Sequence, residues 1–177
     1  MCLPNLSLPA GIAGQAGVWF EMKIRTLQKK DISAAAAICE KVLLEGGHAK
    51  TYFELSLKPT EFRRDFQHLK YFVAEESGKV IGVSGFYQWR AYPKDNGWLG
   101  YTAVNPKYQG RHVGTKLLQY IIAEAKKKKL RLMLLEMTSQ EERQKKIFYE
   151  KFGFEMQGRI KDFWGSGVDQ VYMSKKL

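Results

Sequence analysis

Residues 130–137 read Leu-Arg-Leu-Met-Leu-Leu-Glu-Met, and helical patterns lie on both sides of them in the chain. A run this short and this apolar is expected to be a strand covered on both faces. The helix before it spans 114–128 and stacks Leu117, Leu118, Ile121, Ile122 and Ala125 on one side; the helix after it spans 139–151 and ends at Gly153. A buried strand between two helices restricts the chain to a layered α/β architecture. The remaining segments agree. Residues 23–27 alternate as a first strand, and Asp31-Ile32-Ser33 opens a helix through Leu44 that Gly46-Gly47 stops. Residues 52–68 read as further helix, divided near Pro59. Strands follow at 71–75 and 80–90 around a Ser77-Gly78 turn, then at 98–104, 154–163 and 168–173, the last two around Gly165-Ser166-Gly167. The expected fold class is therefore α/β: a mixed, mostly antiparallel central sheet of six to seven strands flanked by helices.

The 177 residues suffice for one domain with a real core. We expect residues 22–177 to form it. Residues 1–21 contain no Lys or Arg, lack the cationic start of a secretory signal, and read as an N-terminal extension, flexible or docked. No run is long and apolar enough to span a bilayer, so no membrane partner is expected. The formal net charge of +11 points to an anionic partner. Nucleic acid is one candidate and a ligand with several phosphates another. The densest basic run, Lys126 to Lys129 with Arg131, sits at a helix end, where cations complement the dipole, and no aromatics interleave it as single-strand binding would want. Cys2 and Cys39 are the only cysteines, and no set of residues has metal-ligand spacing; a reducing cytoplasm suits this usage. Oligomeric state is left open, a homodimer included.

The segment Val104-Asn105-Pro106-Lys107-Tyr108-Gln109-Gly110-Arg111-His112-Val113-Gly114-Thr115 joins a strand to a helix. Unpaired N–H groups at a helix start, two glycines and nearby cations suit a phosphorylated ligand. The spacing matches neither a P-loop nor a dinucleotide fingerprint. It resembles the acyl-CoA pyrophosphate loop of the GNAT N-acetyltransferase superfamily, Gln/Arg-x-x-Gly-x-Gly/Ala, with His112 standing where that family usually has Gly. A second segment, Tyr149-Glu150-Lys151-Phe152-Gly153-Phe154, is similar to the family's Tyr-Glu-x-x-Gly-Phe. Two departures stand nearby: Glu142 and Lys145 occupy places where the family often has Asn and Ala.

The resemblance implies a sheet splayed between its fourth and fifth strands, with acetyl-CoA as cosubstrate wedged in the gap. It implies cofactor contacts from Gln109, Gly110, Arg111, His112, Val113, Gly114 and Thr115, and pairing of the pantetheine arm with the strand edge at Thr102, Ala103 and Val104. Acetyl transfer to an amine needs a placed thioester, a deprotonated amine, a stabilised oxyanion and a protonated leaving thiolate. Backbone N–H groups at the end of the strand 102–104 are the oxyanion candidates. Tyr149 is the candidate acid, its ordinary pKa being close to that of a thiol; as part of the stripe Phe148, Tyr149, Phe152 it reads equally as core. Glu136, the only carboxylate in its strand, is the candidate base, or else a carboxylate paired with Arg143 or a lysine, or one simply exposed at the strand end. Asp162, Asp169 and His48 are weaker candidates. Aromatic residues crowd the middle of the chain (Phe86, Tyr87, Trp89, Tyr92, Trp98, Tyr101, with Tyr52 and Phe53 earlier), some for the core and others for an acceptor cleft. The leading expectation is a cytoplasmic, metal-independent acetyltransferase acting by direct attack on a small-molecule amine or a peptide N-terminus. A catalytically weak acyl-CoA sensor and a basic nucleic-acid-associated protein are the alternatives.

Overall fold

A computed structural model of the chain describes residues 22–43, 46–63 and 65–177. The extension at 1–21 and Leu44, the expected helix end, lie outside the described residues. The strands are β1 (Lys23–Thr26), β2 (Phe66–Glu76), β3 (Lys79–Trp89), β4 (Asn96–Leu99), β5 (Ala103–Val104), β6 (Leu132–Thr138), β7 (Glu155–Ile160) and β8 (Gln170–Lys176). The helices are α1 (Ile32–Val42), α2 (Ala49–Ser56), α3 (Val113–Lys127) and α4 (Ser139–Glu150). All strands join one sheet in the order β1-β2-β3-β4-β6-β8-β7, with β5 also paired to β3. Every pairing is antiparallel except β4 with β6. The α/β class with a mixed, mostly antiparallel sheet is as expected.

Three local differences from the sequence reading have physical causes. The expected helix over 52–68 ends early and its last residues are strand: α2 stops at Ser56, a single 3-10 turn spans Thr60–Phe62, and Phe66 already pairs with Trp89. Pairing to the full length of β3 outweighs the short amphipathic pattern, and the ring of Phe66 stacks 4.4 Å from that of Trp89. The expected strand 98–104 is broken in two. Phe86 and Tyr87 pair with Leu99 and Trp98, while Gly82 and Val83 pair with Val104 and Ala103. Between these pairs the two residues Ser84 and Gly85 face the three residues Gly100, Tyr101 and Thr102, so one extra residue bulges out. Finally, β6 is covered on one face only. Met133, Leu135 and Met137 are buried with the cluster formed by α3, α4 and β8, whereas Leu132 and Leu134 are half-buried and Glu136 is exposed. Helices α1 and α2 cover β2, β3 and β5 on the opposite face and do not extend over β6.

Charge at the sheet edge is tied down. Arg25 on β1 donates to Asp31 at 2.6 Å and to Glu75 on β2, holding the Asp31 carboxyl below the ordinary carboxylate range. His68, half-buried on β2 with its ring 4.8 Å from that of Phe86, is pushed down to about 3 by burial and then by nearby Lys128, Arg63 and Lys70. A histidine kept neutral in the fold, but free to protonate near its ordinary value of about 6.5 when unfolded, favours the unfolded state as pH falls through that window. Stability is therefore expected to decline between about pH 6.5 and 3. His68→Leu should flatten that limb in urea titrations at several pH values; an unchanged slope would remove His68 as its cause.

Candidate active site

β4 and β6 run parallel through the pairs Asn96–Leu132, Gly97–Met133 and Trp98–Leu134, and the pairing then stops. The cause lies on both strands. Bulging at residues 100–102 keeps the first strand bonded to β3, where Gly100 N–H donates to Gly85 O at 2.8 Å. β6 meanwhile continues straight along β8, from Leu132–Lys176 to Thr138–Gln170. The strands diverge around a cavity of about 160 Å³, with Gly100, Tyr101 and Thr102 on one wall and Glu136, Met137 and Thr138 on the other. Tyr149 from α4 closes one side, and Tyr52, Tyr71 and Tyr87 enter from the side of α1 and α2. The expected splay between the strands 98–104 and 130–137 is thus present.

Thr102, Glu136 and Tyr149 line this one cavity. Tyr149 is buried, its ring edge-on to those of Phe148 and Phe154 at 5.2 and 5.8 Å, and burial with Glu141 nearby pushes its phenol well above the ordinary value. Core packing and cavity lining therefore coincide in one residue, because the stripe of α4 packs directly under the gap. Glu136 stands opposite Tyr172 in the β6–β8 register, and its charge helps raise the phenols of Tyr87 and Tyr172, after burial in each case. Of the weaker base candidates, Asp169 pairs with Arg159 at 2.8 Å and Asp162 accepts the Gly167 N–H at 2.6 Å, so both build the β7–β8 turn. His48 is exposed on the 3-10 turn before α2, and it lines neither this cavity nor the open one beside it.

Gly114, in the first turn of α3, lies against Val104 of β5 and Phe148 of α4: a Cβ built on it would be 3.6 and 3.8 Å from their side chains. The turn before α3 has Gly110 at φ +75° and His112 at φ +59°, both left-handed. That conformation explains why the family usually places Gly where His112 stands, since a β-carbon resists it. The His112 ring is exposed, so the departure costs backbone strain without filling the turn. No side chain caps α3, which leaves the first-turn N–H groups of Val113, Gly114 and Thr115 to an outside acceptor. Gln109 ties the turn to the strand by donating to Val104 O at 3.3 Å. Arg111 is turned to Glu76, at 2.7 Å, and stacks over Tyr108. Such an exposed pair is weak enough to exchange partners.

Several cavity residues carried no usable signal in the sequence. Glu141 closes a capping box with Thr138 and pairs with Lys145 at 2.9 Å. Trp164 donates to the buried Gln170, bringing the β7–β8 turn to the cavity mouth. Tyr71 reaches the cavity only because two glycines clear its path. A Cβ on Gly85 would lie 2.5 Å from its ring, and one on Gly100 would lie 2.6 Å from its hydroxyl. That hydroxyl is buried, with the Tyr101 backbone beside it. Gly100→Ala is expected to destabilise the protein by about 2 kcal/mol through overpacking. Tyr71→Phe removes the atom that an added methyl on Gly100 would meet first, so the double variant should regain part of the loss. Additive urea midpoints would show that the two positions do not clash.

The fold is thus a mixed sheet that parts beside an uncapped helix start. The chain belongs to the acetyltransferase (GNAT) family, whose model matches residues 42–154, and it is an enzyme of that N-acetyltransferase class. Among solved structures, a protein assigned to the GNAT family from Desulfovibrio desulfuricans superposes with a TM-score of 0.78 at 18% identity, over 88% of this chain and 99% of that one. The ribosomal-protein-S18-alanine N-acetyltransferase of Escherichia coli gives 0.69 at 21%, over 88% and 94%. A Salmonella typhimurium protein solved with its cofactor acetyl-CoA gives 0.69 at 22%, over 89% and 94%. At these identities the likeness is one of fold. No curated protein matches the chain. Among the described residues no helix is long and apolar enough to cross a membrane, and no cluster of His, Cys, Asp or Glu could hold a metal ion.

Proposed function

We propose that the protein transfers an acetyl group from acetyl-CoA to a primary amine by direct attack in a ternary complex. The observation that carries this reading is that Thr102, Glu136 and Tyr149 line one cavity at the point where β4 and β6 part. The uncapped start of α3 suits a pyrophosphate: N–H groups of Val113 to Thr115 would hold it, with the backbone of Gly110 and His112 close by. Arg111 would leave or share Glu76 to add charge. Beyond the turn, the edge of Thr102, Ala103 and Val104 that faces the gap offers backbone groups to the pantetheine arm.

When bound, the thioester supplies the activated acyl carbon. Glu136 takes one proton from the incoming ammonium, and the neutral nitrogen attacks that carbon. Backbone N–H groups at the end of the strand 102–104 stabilise the oxyanion. As the C–N bond forms and the C–S bond breaks, Tyr149 donates its proton to the departing sulfur and the second nitrogen proton leaves to water. Tyr149 and Glu136 then exchange protons with solvent. Burial keeps Tyr149 protonated across the physiological range, and the same shift moves its phenol away from the match with a thiol that its ordinary value gives, so its proton transfer runs uphill.

The test is acetyl-CoA binding by calorimetry, followed by free-thiol release with a panel of primary amines and N-terminal peptides. Binding with turnover supports the reading. Binding without turnover on any amine would favour an acyl-CoA sensor, and salt-sensitive nucleic-acid binding without any response to CoA would favour the basic-protein alternative.

A further inference from the structure

A second, larger cavity opens on the uncovered face of the sheet beside the first. It measures about 590 Å³, within the size range of small-molecule sites. Glu136 lines both cavities. The register explains how the walls come together. Trp98 pairs with Leu134, Glu136 lies two residues further along on the same face, and Tyr172 stands directly opposite Glu136 on β8. Trp98 is thereby flanked by Tyr172 at 6.4 Å and by Tyr92 at 6.3 Å between ring centroids. Trp89, stacked on Phe66, makes a further wall, and Asp65 stands at the margin. Among the described residues Arg90 is the one cation lining this cavity, and its guanidinium donates to Thr60 O at 3.2 Å.

Four aromatic rings with a carboxylate on β6 and another at the margin form a receptor for organic cations. Ring faces attract ammonium groups, and the two exposed carboxylates add a solvent-screened attraction of the same sign. An acceptor with a single amine would use Glu136 alone and leave the rings and Asp65 without a role.

We propose that the acceptor is a dication: a primary amine set at Glu136 for acetylation, carrying a second ammonium that sits among Trp89, Tyr92, Trp98 and Tyr172 near Asp65. This rests on the acetyltransferase reading above and names its substrate class. The rigid rings select the second charge, and the thioester side of Glu136 receives the reacting amine.

The experiment compares α,ω-diamines with monoamines of equal chain length, using thiol release by the full chain. A preference of at least tenfold in kcat/KM for one or more diamines is expected. Asp65→Asn and Trp98→Leu should each lower diamine kcat/KM several-fold more than monoamine kcat/KM, so that the ratio between the two falls. An alkyltrimethylammonium ion, which cannot be acetylated, should compete with the amine but not with acetyl-CoA, and should quench tryptophan fluorescence. Equal kcat/KM for diamines and monoamines, or a diamine preference untouched in both variants, overturns the proposal while leaving the acetyltransferase reading standing. No thiol release with any amine, alongside ammonium-dependent quenching lost in Trp98→Leu, would instead sink the acetyltransferase reading and keep the cation site.

Discussion

Replacing Tyr149 by Phe is expected to lower turnover by roughly 10²-fold or more while leaving acetyl-CoA affinity nearly unchanged. The substitution removes one oxygen and keeps the ring against Phe148 and Phe154, so packing is preserved. Because burial raises the phenol above its ordinary value, the residue carries its proton across the physiological range. The kcat profile of the wild type should therefore show no Tyr149 titration below about pH 10. Stopped-flow thiol release and calorimetry on the same sample separate the two effects. A variant with full turnover would return Tyr149 to a purely structural place in the core.

The second large effect belongs to Glu136. Glu136→Gln should reduce kcat/KM by roughly 10²-fold near pH 6, with the deficit shrinking as pH rises toward 9. The sign follows from the amine. A primary amine with an ordinary pKa of about 10 is almost wholly protonated at pH 6, so a base in the site is needed to free it, whereas near pH 9 a growing share arrives already neutral. Tyr172 gives an independent readout. Its phenol is raised first by burial and then by the Glu136 charge, so its titration should move down in the Gln variant even if activity does not. A loss of equal size at every pH would mean that Glu136 shapes the site without taking a proton.

Much of this was legible in the chain. Strands and helices recur in the expected order, because apolar periodicity over ten residues reports which face of an element meets a core. The left-handed turn before α3 was legible from Gly110 and Gly114, and Tyr149 and Glu136 were legible as candidates because an uncommon residue type in a uniform context needs a reason. The length of β2 was not. Residues 66–70 carry an ambiguous local pattern, and only their pairing with β3, distant in sequence, turns them into strand. The single-sided cover of β6 was also hidden: an apolar run is compatible with one covering layer or two, and the choice depends on how far α1 and α2 reach across the sheet.

What the sequence determined by itself, therefore, was the class of architecture, the glycine-turned start of α3 and the residue types available for proton transfer, since all of these are local or periodic properties. The tertiary structure alone decided where those residues meet. A one-residue bulge holds the strand of Thr102 against β3 while β6 follows β8, and the gap so opened gathers Thr102, Glu136 and Tyr149 around one cavity. The aromatic wall beside Glu136 was decided in the same way. Its rings come from β3, the loop after it, β4 and β8, and no spacing along the chain encodes their convergence, because register between strands is settled by backbone pairing across the sheet.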